Sequence, residues 1–198
     1  MNLFKRLFGK TEKTSKKHTT QDAERSKFMP EVKLPVDEMF MKNFTANGGK
    51  FIYCENSNEL FDNFNLILEE NEWKTAQLTG FNESLLQLFK VNQLNNSDAQ
   101  AFILDCEYLI GSTGAILISS NQIGEKRLAD LPETFIVYAK TSQLIELIGD
   151  GLQLIKKKHQ KIPNNITTIK KFDIDKEDDF MTYGSPSKNL YLLLVEDL

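Results

Sequence analysis

Residues 108–132 read YLIGSTGAILISSNQIGEKRLADLP, from Tyr108 to Pro132, and the rest of the chain is organised around them. A Gly-Ser-Thr-Gly turn, Gly111 to Gly114, runs straight into an apolar strand, Ala115 to Ser119. A polar loop follows and ends on Lys126-Arg127 and Leu131-Pro132. Two glycines around two hydroxyl residues permit a tight turn and leave N–H groups and hydroxyls facing outward. Such a turn can hold a carboxylate or another anion. It is equally a plain way for a chain to enter a buried strand. Arg127 is the candidate counter-charge, because a guanidinium suits bidentate recognition of such groups. Its alternative is a surface pair with Asp130 or Glu133.

Upstream of this stretch, Pro35 fixes an extended entry. Val36, Met39, Phe40 and Phe44 then repeat at helical spacing, so residues 36–46 read as a helix that Asn47-Gly48-Gly49 ends. Lys50 to Cys54 is a short apolar strand. Asn56 or Ser57 caps a helix whose Leu60, Phe61, Phe64, Ile67 and Leu68 share a face. Thr75 to Leu78 and Ala101 to Leu104 read as strands, with a helix over Glu83 to Val91 between them.

Downstream, Phe135 to Ala139 is a strand. Thr141 or Ser142 caps a long helix with Leu144, Ile148, Leu152 and Ile155 on one side. That helix ends in Lys156-Lys-Lys158, where cations suit the carboxyl terminus. Ile166 to Ile169 is a strand. Leu190 to Val195 shows almost no polar alternation and reads as a central strand. Strands alternating with helices mean an α/β sheet covered by helices on both sides. In such sheets ligands bind beyond the carboxyl ends of the strands. No GxGxxG and no GxxxxGK[ST] is present, so an ordinary dinucleotide site and a P-loop are both unsupported.

The 198 residues, 40% hydrophobic and 26% charged, are those of an ordinary globular chain. No apolar run approaches the roughly 20 residues that span a bilayer. The N-terminus lacks the apolar run of a secretory signal. Charge divides the chain in two. Residues 1–33 carry nine Lys/Arg against four acids and read as a basic tail; residues 34–198 carry 15 against 24 and read as the folded domain. An acidic body argues against nucleic acid as a partner. Leu3, Phe4, Leu7 and Phe8 beside Lys5, Arg6 and Lys10 give the tail a short amphipathic start that could reach a membrane surface or a partner.

Cys54 and Cys106 form no CxxC and no Cys/His cluster, so no cofactor or metal is expected, and two free thiols fit a reducing cytoplasm. His18 lies in the tail and His159 at a helix end. The acidic run Asp173, Asp175, Glu177, Asp178 and Asp179 lacks the glycine and spacing of a calcium loop and reads as solvated. No nucleophile–base pair can be named; the acids nearest the turn are Asp105 and Glu107.

From Gly111 to Pro132 the sequence resembles the LUD-domain family of lactate-utilisation proteins (the LutC/YkgG type). The resemblance rests on Ser112-Thr113-Gly114-Ala115-Ile116, on Arg127-Leu128-Ala129-Asp130-Leu131-Pro132 and on Phe135-Ile136-Val137. Residues 40–51 and the turn Tyr183-Gly184-Ser185-Pro186 before the last strand extend it over about residues 36–198. It implies a three-layer α/β/α fold of the NagB/RpiA/CoA-transferase-like type with a mostly parallel sheet. It also implies a pocket at Gly111, Ser112, Thr113, Gly114 and Arg127, with Ser185 and Lys188 in the late turn as further candidates.

The sequence departs from the family at Ser112, where an acid is usual, and over residues 168–179, which lack the family's Gly-Pro-Ser stretch. It departs again in the late turn, which lacks the usual His. These departures favour a binding or assembly role over independent catalysis. The implied role is a cytoplasmic, non-redox component of lactate or other organic-acid oxidation. Iron–sulfur or other redox proteins are its expected partners, and a small organic acid or other anion its expected ligand. The alternatives are an isomerase- or CoA-transferase-like enzyme and an interaction protein that works through its basic N-terminus.

Overall fold

A computed structural model describes residues 34–79, 92–93, 99–158, 160–170 and 189–197. All belong to the compact unit Leu34–Leu198. The basic segment 1–33, the helix expected over 83–91, His159, the acidic run at 173–179, Ser185 and Lys188 lie outside the described residues.

The central sheet takes its strands from the whole length of this unit. They are β1 (Lys50–Cys54), β2 (Thr75–Thr79), β3 (Asn92–Gln93), β4 (Ala101–Asp105), β7 (Thr134–Lys140) and β10 (Asn189–Val195), in the spatial order β1-β10-β7-β4-β2-β3. Every pairing in this sheet is parallel. The last strand lies between β1 and β7, in register from Lys50↔Tyr191 to Cys54↔Val195. Burial on both faces accounts for its run of Leu and Val.

Two helices flank β1 in the chain. In α1 (Val36–Ala46), Phe40 and Phe44 are fully buried, their rings stacked 5.4 Å apart, and Phe44 meets Phe51 edge-on. Helix α2 (Ser57–Glu70) starts at Asn56, whose side-chain oxygen accepts from the amides of Asn58 and Glu59. Its Leu60, Phe64, Ile67 and Leu68 pack on Cys54, Ala76, Ala101, Ile103, Ile136, Tyr191, Leu193 and Val195, one face of the central sheet. Each such apolar side chain contributes about 1.5–3 kcal/mol on burial.

Beside the central sheet and its helices the structure has a second, four-stranded sheet. It orders β8 (Leu144–Ile145), β5 (Tyr108–Ile110), β6 (Ala115–Ile118) and β9 (Thr167–Ile169). Strands β5 and β6 form an antiparallel hairpin, and β8 joins β5 in parallel. Ile110, Ala115 and Leu117 face Ile155 of α4 (Ile148–Lys158), while Leu109, Ile116 and Ile118 point the other way and are also buried.

The long helix expected from Thr141 is corrected here. Thr141–Gln143 is a single 3-10 turn, Leu144–Ile145 is strand β8, and the helix begins only at Ile148. Asp197 explains the change: it accepts from the Thr141 hydroxyl (3.0 Å) and from the Ser142 amide and hydroxyl (2.9 and 2.8 Å). This clamp ties the segment after β7 to the end of β10. The polar loop after β6 is likewise partly helical. Helix α3 (Ser120–Ile123) is closed by a capping box in which Gln122 accepts from the Ser119 amide.

Candidate functional site

Gly111–Gly114 closes the β5–β6 hairpin, and its amides are used inside the fold. Thr113 and Gly114 donate to the Ile110 carbonyl (3.3 and 2.8 Å); Gly111 and Ser112 donate to the carbonyls of Ile145 and Glu146 (2.7 and 3.0 Å). The sequence placed these N–H groups facing outward for an anion, and the structure corrects that. An anion nest needs free, convergent donors, and these point into β8 and the hairpin.

Helix α1 seats on the same turn. The side-chain amides of Asn43 and Asn47 donate to the carbonyls of Gly111 and Thr113, both at 2.8 Å. Gly114 has φ 65°, and a Cβ there would lie well inside 3 Å of the Phe44 nitrogen and the Asn43 carbonyl carbon. Both constraints demand glycine. The turn is therefore a joint between α1 and the second sheet, with only the Ser112 and Thr113 side chains exposed.

Arg127 takes the alternative that the sequence offered, the surface pair with Asp130. Its Nε and Nη2 donate to the two carboxylate oxygens of Asp130, each at 3.0 Å, and its side chain is 82% exposed. The hydrogen bond from Arg127 holds the Asp130 carboxyl below its ordinary range. The turn precedes β6 while Arg127 follows both β6 and α3, and among the described residues no hydrogen bond joins Arg127 to the turn.

A second group of polar residues gathers at the carboxyl end of β4. The chain leaves β2 toward β3 at the sheet edge, but leaves β4 in the opposite direction toward β7. In open parallel sheets ligands bind at such a reversal, beyond the carboxyl ends of the strands. Asp105 ends β4, beside Tyr138 in register. Burial pushes its carboxyl from 3.8 up to about 6, against a hydrogen bond from Gln122 and with the charge of Glu107 adding to the rise. One oxygen, Oδ1, is buried and has no hydrogen-bond partner among the described residues.

Glu107 is 3% exposed and accepts from the Ser119 hydroxyl (2.7 Å) and the Asn121 amide (2.8 Å). Gln143 donates to the carbonyl of Cys106 at 2.6 Å. Cys106 and Cys54 are free and buried, and burial raises both thiols, so neither is set up as a nucleophile. Among the described residues no three His, Cys, Asp or Glu side chains are placed to hold a metal, and no helix is long and apolar enough to cross a membrane.

The sequence named Asp105 and Glu107 only as neighbours of the turn. The S-x-x-Q capping signal at Ser119–Gln122 could have shown that a helix start faces them.

Neither a family model nor a curated protein matches the sequence. A solved structure matches the fold: the crystal structure of a DUF162 family protein from Deinococcus radiodurans, 14% identical. The match covers 82% of this chain and 96% of that one, with a TM-score of 0.60. At that identity the likeness shows the fold: α/β with a mostly parallel sheet.

Proposed function

We propose that this chain is a LUD-type domain that serves lactate or related organic-acid utilisation by binding or assembly, beside redox proteins that carry the electrons. The motif resemblance supports it, and so does the fold likeness, because the DUF162 family is LUD-related. The observation that carries the choice of binding over catalysis is the use of all four Gly111–Gly114 amides within the fold. What remains outward is a surface: the Ser112 and Thr113 side chains, with the exposed Leu147 and Ile148 directly following Glu146, which accepts the Ser112 amide. Apolar side chains rimmed by hydroxyls suit a protein contact. The small-molecule form of this reading puts an organic acid on the Ser112 and Thr113 hydroxyls, with Arg127 and Ser185 as further contacts. The test is affinity purification of the tagged chain from its native cells grown on lactate, paired with deletion of its gene. Recovery of iron–sulfur or flavin subunits and impaired growth support the proposal; neither partner nor growth defect refutes it.

A second reading, a small-molecule enzyme of the isomerase or CoA-transferase-like group, is favoured by Asp105. It would work at the end of β4 with a carboxyl that titrates near neutrality, as general acids and bases do. Asp105→Asn abolishing turnover of a carboxylate or acyl substrate would favour it; no turnover in a broad screen would remove it.

A further inference from the structure

The carboxyl end of α2 lies away from both sites above and has an unusual charge pattern. A helix carboxyl terminus favours cations. Here the last turn carries Glu69 and Glu70 and no basic residue, and Glu72 follows after the capping Asn71. The chain then closes as helices do around a left-handed residue: the Trp73 amide donates to the Leu68 carbonyl (2.9 Å) and the Glu72 amide to that of Glu69 (3.1 Å). The left-handed residue is Glu72, φ 56°, where glycine is the usual occupant.

Glu69, Glu72 and Trp73 line an open cavity of about 430 Å³ together with Asn65, Leu68 and Lys74. Trp73 is half-buried and held edge-on against Tyr191, ring centroids 6.1 Å apart. Tyr191 already takes an ammonium, that of Lys50, 4.2 Å from its ring centre. An aromatic wall, two carboxylates and a helix carboxyl terminus around one cavity are the chemistry that recognises an organic cation.

We propose that this cavity binds the ammonium head of a small alkylammonium compound. Trp73 forms the wall, and Glu69 and Glu72 are the counter-charges. Lys74 at the rim opposes the ligand's charge and limits its affinity.

Trp73 is the chain's one tryptophan, so its fluorescence reports the cavity directly. The experiment titrates the full chain at low salt with choline, and in parallel with its uncharged isostere 3,3-dimethylbutan-1-ol. Choline should give a saturable change with half-saturation at about 1 mM, and the alcohol should bind at least about tenfold more weakly. Glu69→Gln and Glu72→Gly should each weaken choline about tenfold, and Lys74→Ala should tighten it about threefold. Glu72→Gly should also melt no lower than the parent, because glycine relieves the left-handed backbone; this separates a lost contact from a lost fold. No saturable response to choline, an equal response to the alcohol, or full affinity in a folded Glu69→Gln or Glu72→Gly chain overturns the proposal.

Discussion

Substituting Gly114 by alanine tests the joint between α1 and the hairpin. The new Cβ meets backbone: the Phe44 nitrogen and the Asn43 carbonyl carbon well inside 3 Å, and the Asn43 oxygen at 2.8 Å. Neither a rotamer change nor a small side-chain shift relieves that overlap. The left-handed φ adds roughly 1–2 kcal/mol of strain for any residue with a Cβ, and overpacking adds about 1–3 kcal/mol. If α1 moves away, the bonds from Asn43 to Gly111 and from Asn47 to Thr113 are lost, at about 1 kcal/mol each. The expected loss is about 3–5 kcal/mol, or roughly 10 °C in melting temperature for a domain of this size. Gly124→Ala is the comparison without overlap, since nothing lies within 4 Å of its Cβ; with φ 61° and ψ −140° in a region that favours glycine, it should cost backbone strain alone, roughly 1–3 kcal/mol. Urea unfolding of the two variants measures both. Equal, small losses would refute the reasoning, because they would mean that α1 does not press on the turn.

Three further outcomes follow from the other contacts. The Asp105 carboxyl titrates near 6 when folded against 3.8 for an ordinary aspartate, so the folded state holds that proton more tightly than the unfolded chain does. The stability it contributes is complete below about pH 4 and is lost as pH rises through 6; Asp105→Asn should flatten that stretch of the stability–pH curve and stabilise the chain at pH 7 by no more than about 3 kcal/mol. Removing the acceptor that clamps Thr141 and Ser142, by Asp197→Ala, should cost about 2 kcal/mol in urea unfolding. Although burial opposes it, the bonds from Ser142 and Thr141 hold the Asp197 carboxyl below 3.8, so its contribution is present above that pH and fades as pH falls further. Ser119→Ala removes the α3 cap and a donor to buried Glu107, and should lower stability by about 1–2 kcal/mol at neutral pH, again read by urea unfolding.

The parts of the fold legible in the sequence are those fixed by local signals. Phe40 and Phe44 at helical spacing gave α1, Asn56 gave the start of α2, and the unbroken apolar run 190–195 gave a central strand. The segment 141–147 misled because Leu144, Ile148, Leu152 and Ile155 fit a helical face, while the residue that holds the segment non-helical, Asp197, lies 55 residues away. The small second sheet is legible only in part: Ala115–Ser119 and Ile166–Ile169 read as strands, whereas β5 and β8, three and two residues long, show no period.

At the candidate site the residue types of the Gly-Ser-Thr-Gly turn were read well enough to place a tight turn before a strand. What the Gly111 and Ser112 donors do was not legible, because their acceptors Ile145 and Glu146, like the helix that crowds Gly114, are more than 30 residues away. Arg127 pairs within its own turn, three residues on, which was the local alternative.

We propose that the surface beside the turn makes a protein contact. Leu147 is 51% exposed, so Leu147→Asp changes that surface without disturbing the core. The tagged parent and the tagged Leu147→Asp chain should be purified side by side from native cells grown on lactate, and the recovered redox subunits quantified by mass spectrometry. Recovery by the parent and its loss in the variant are expected, with both chains melting alike. Equal recovery by both, or none by either, would contradict it.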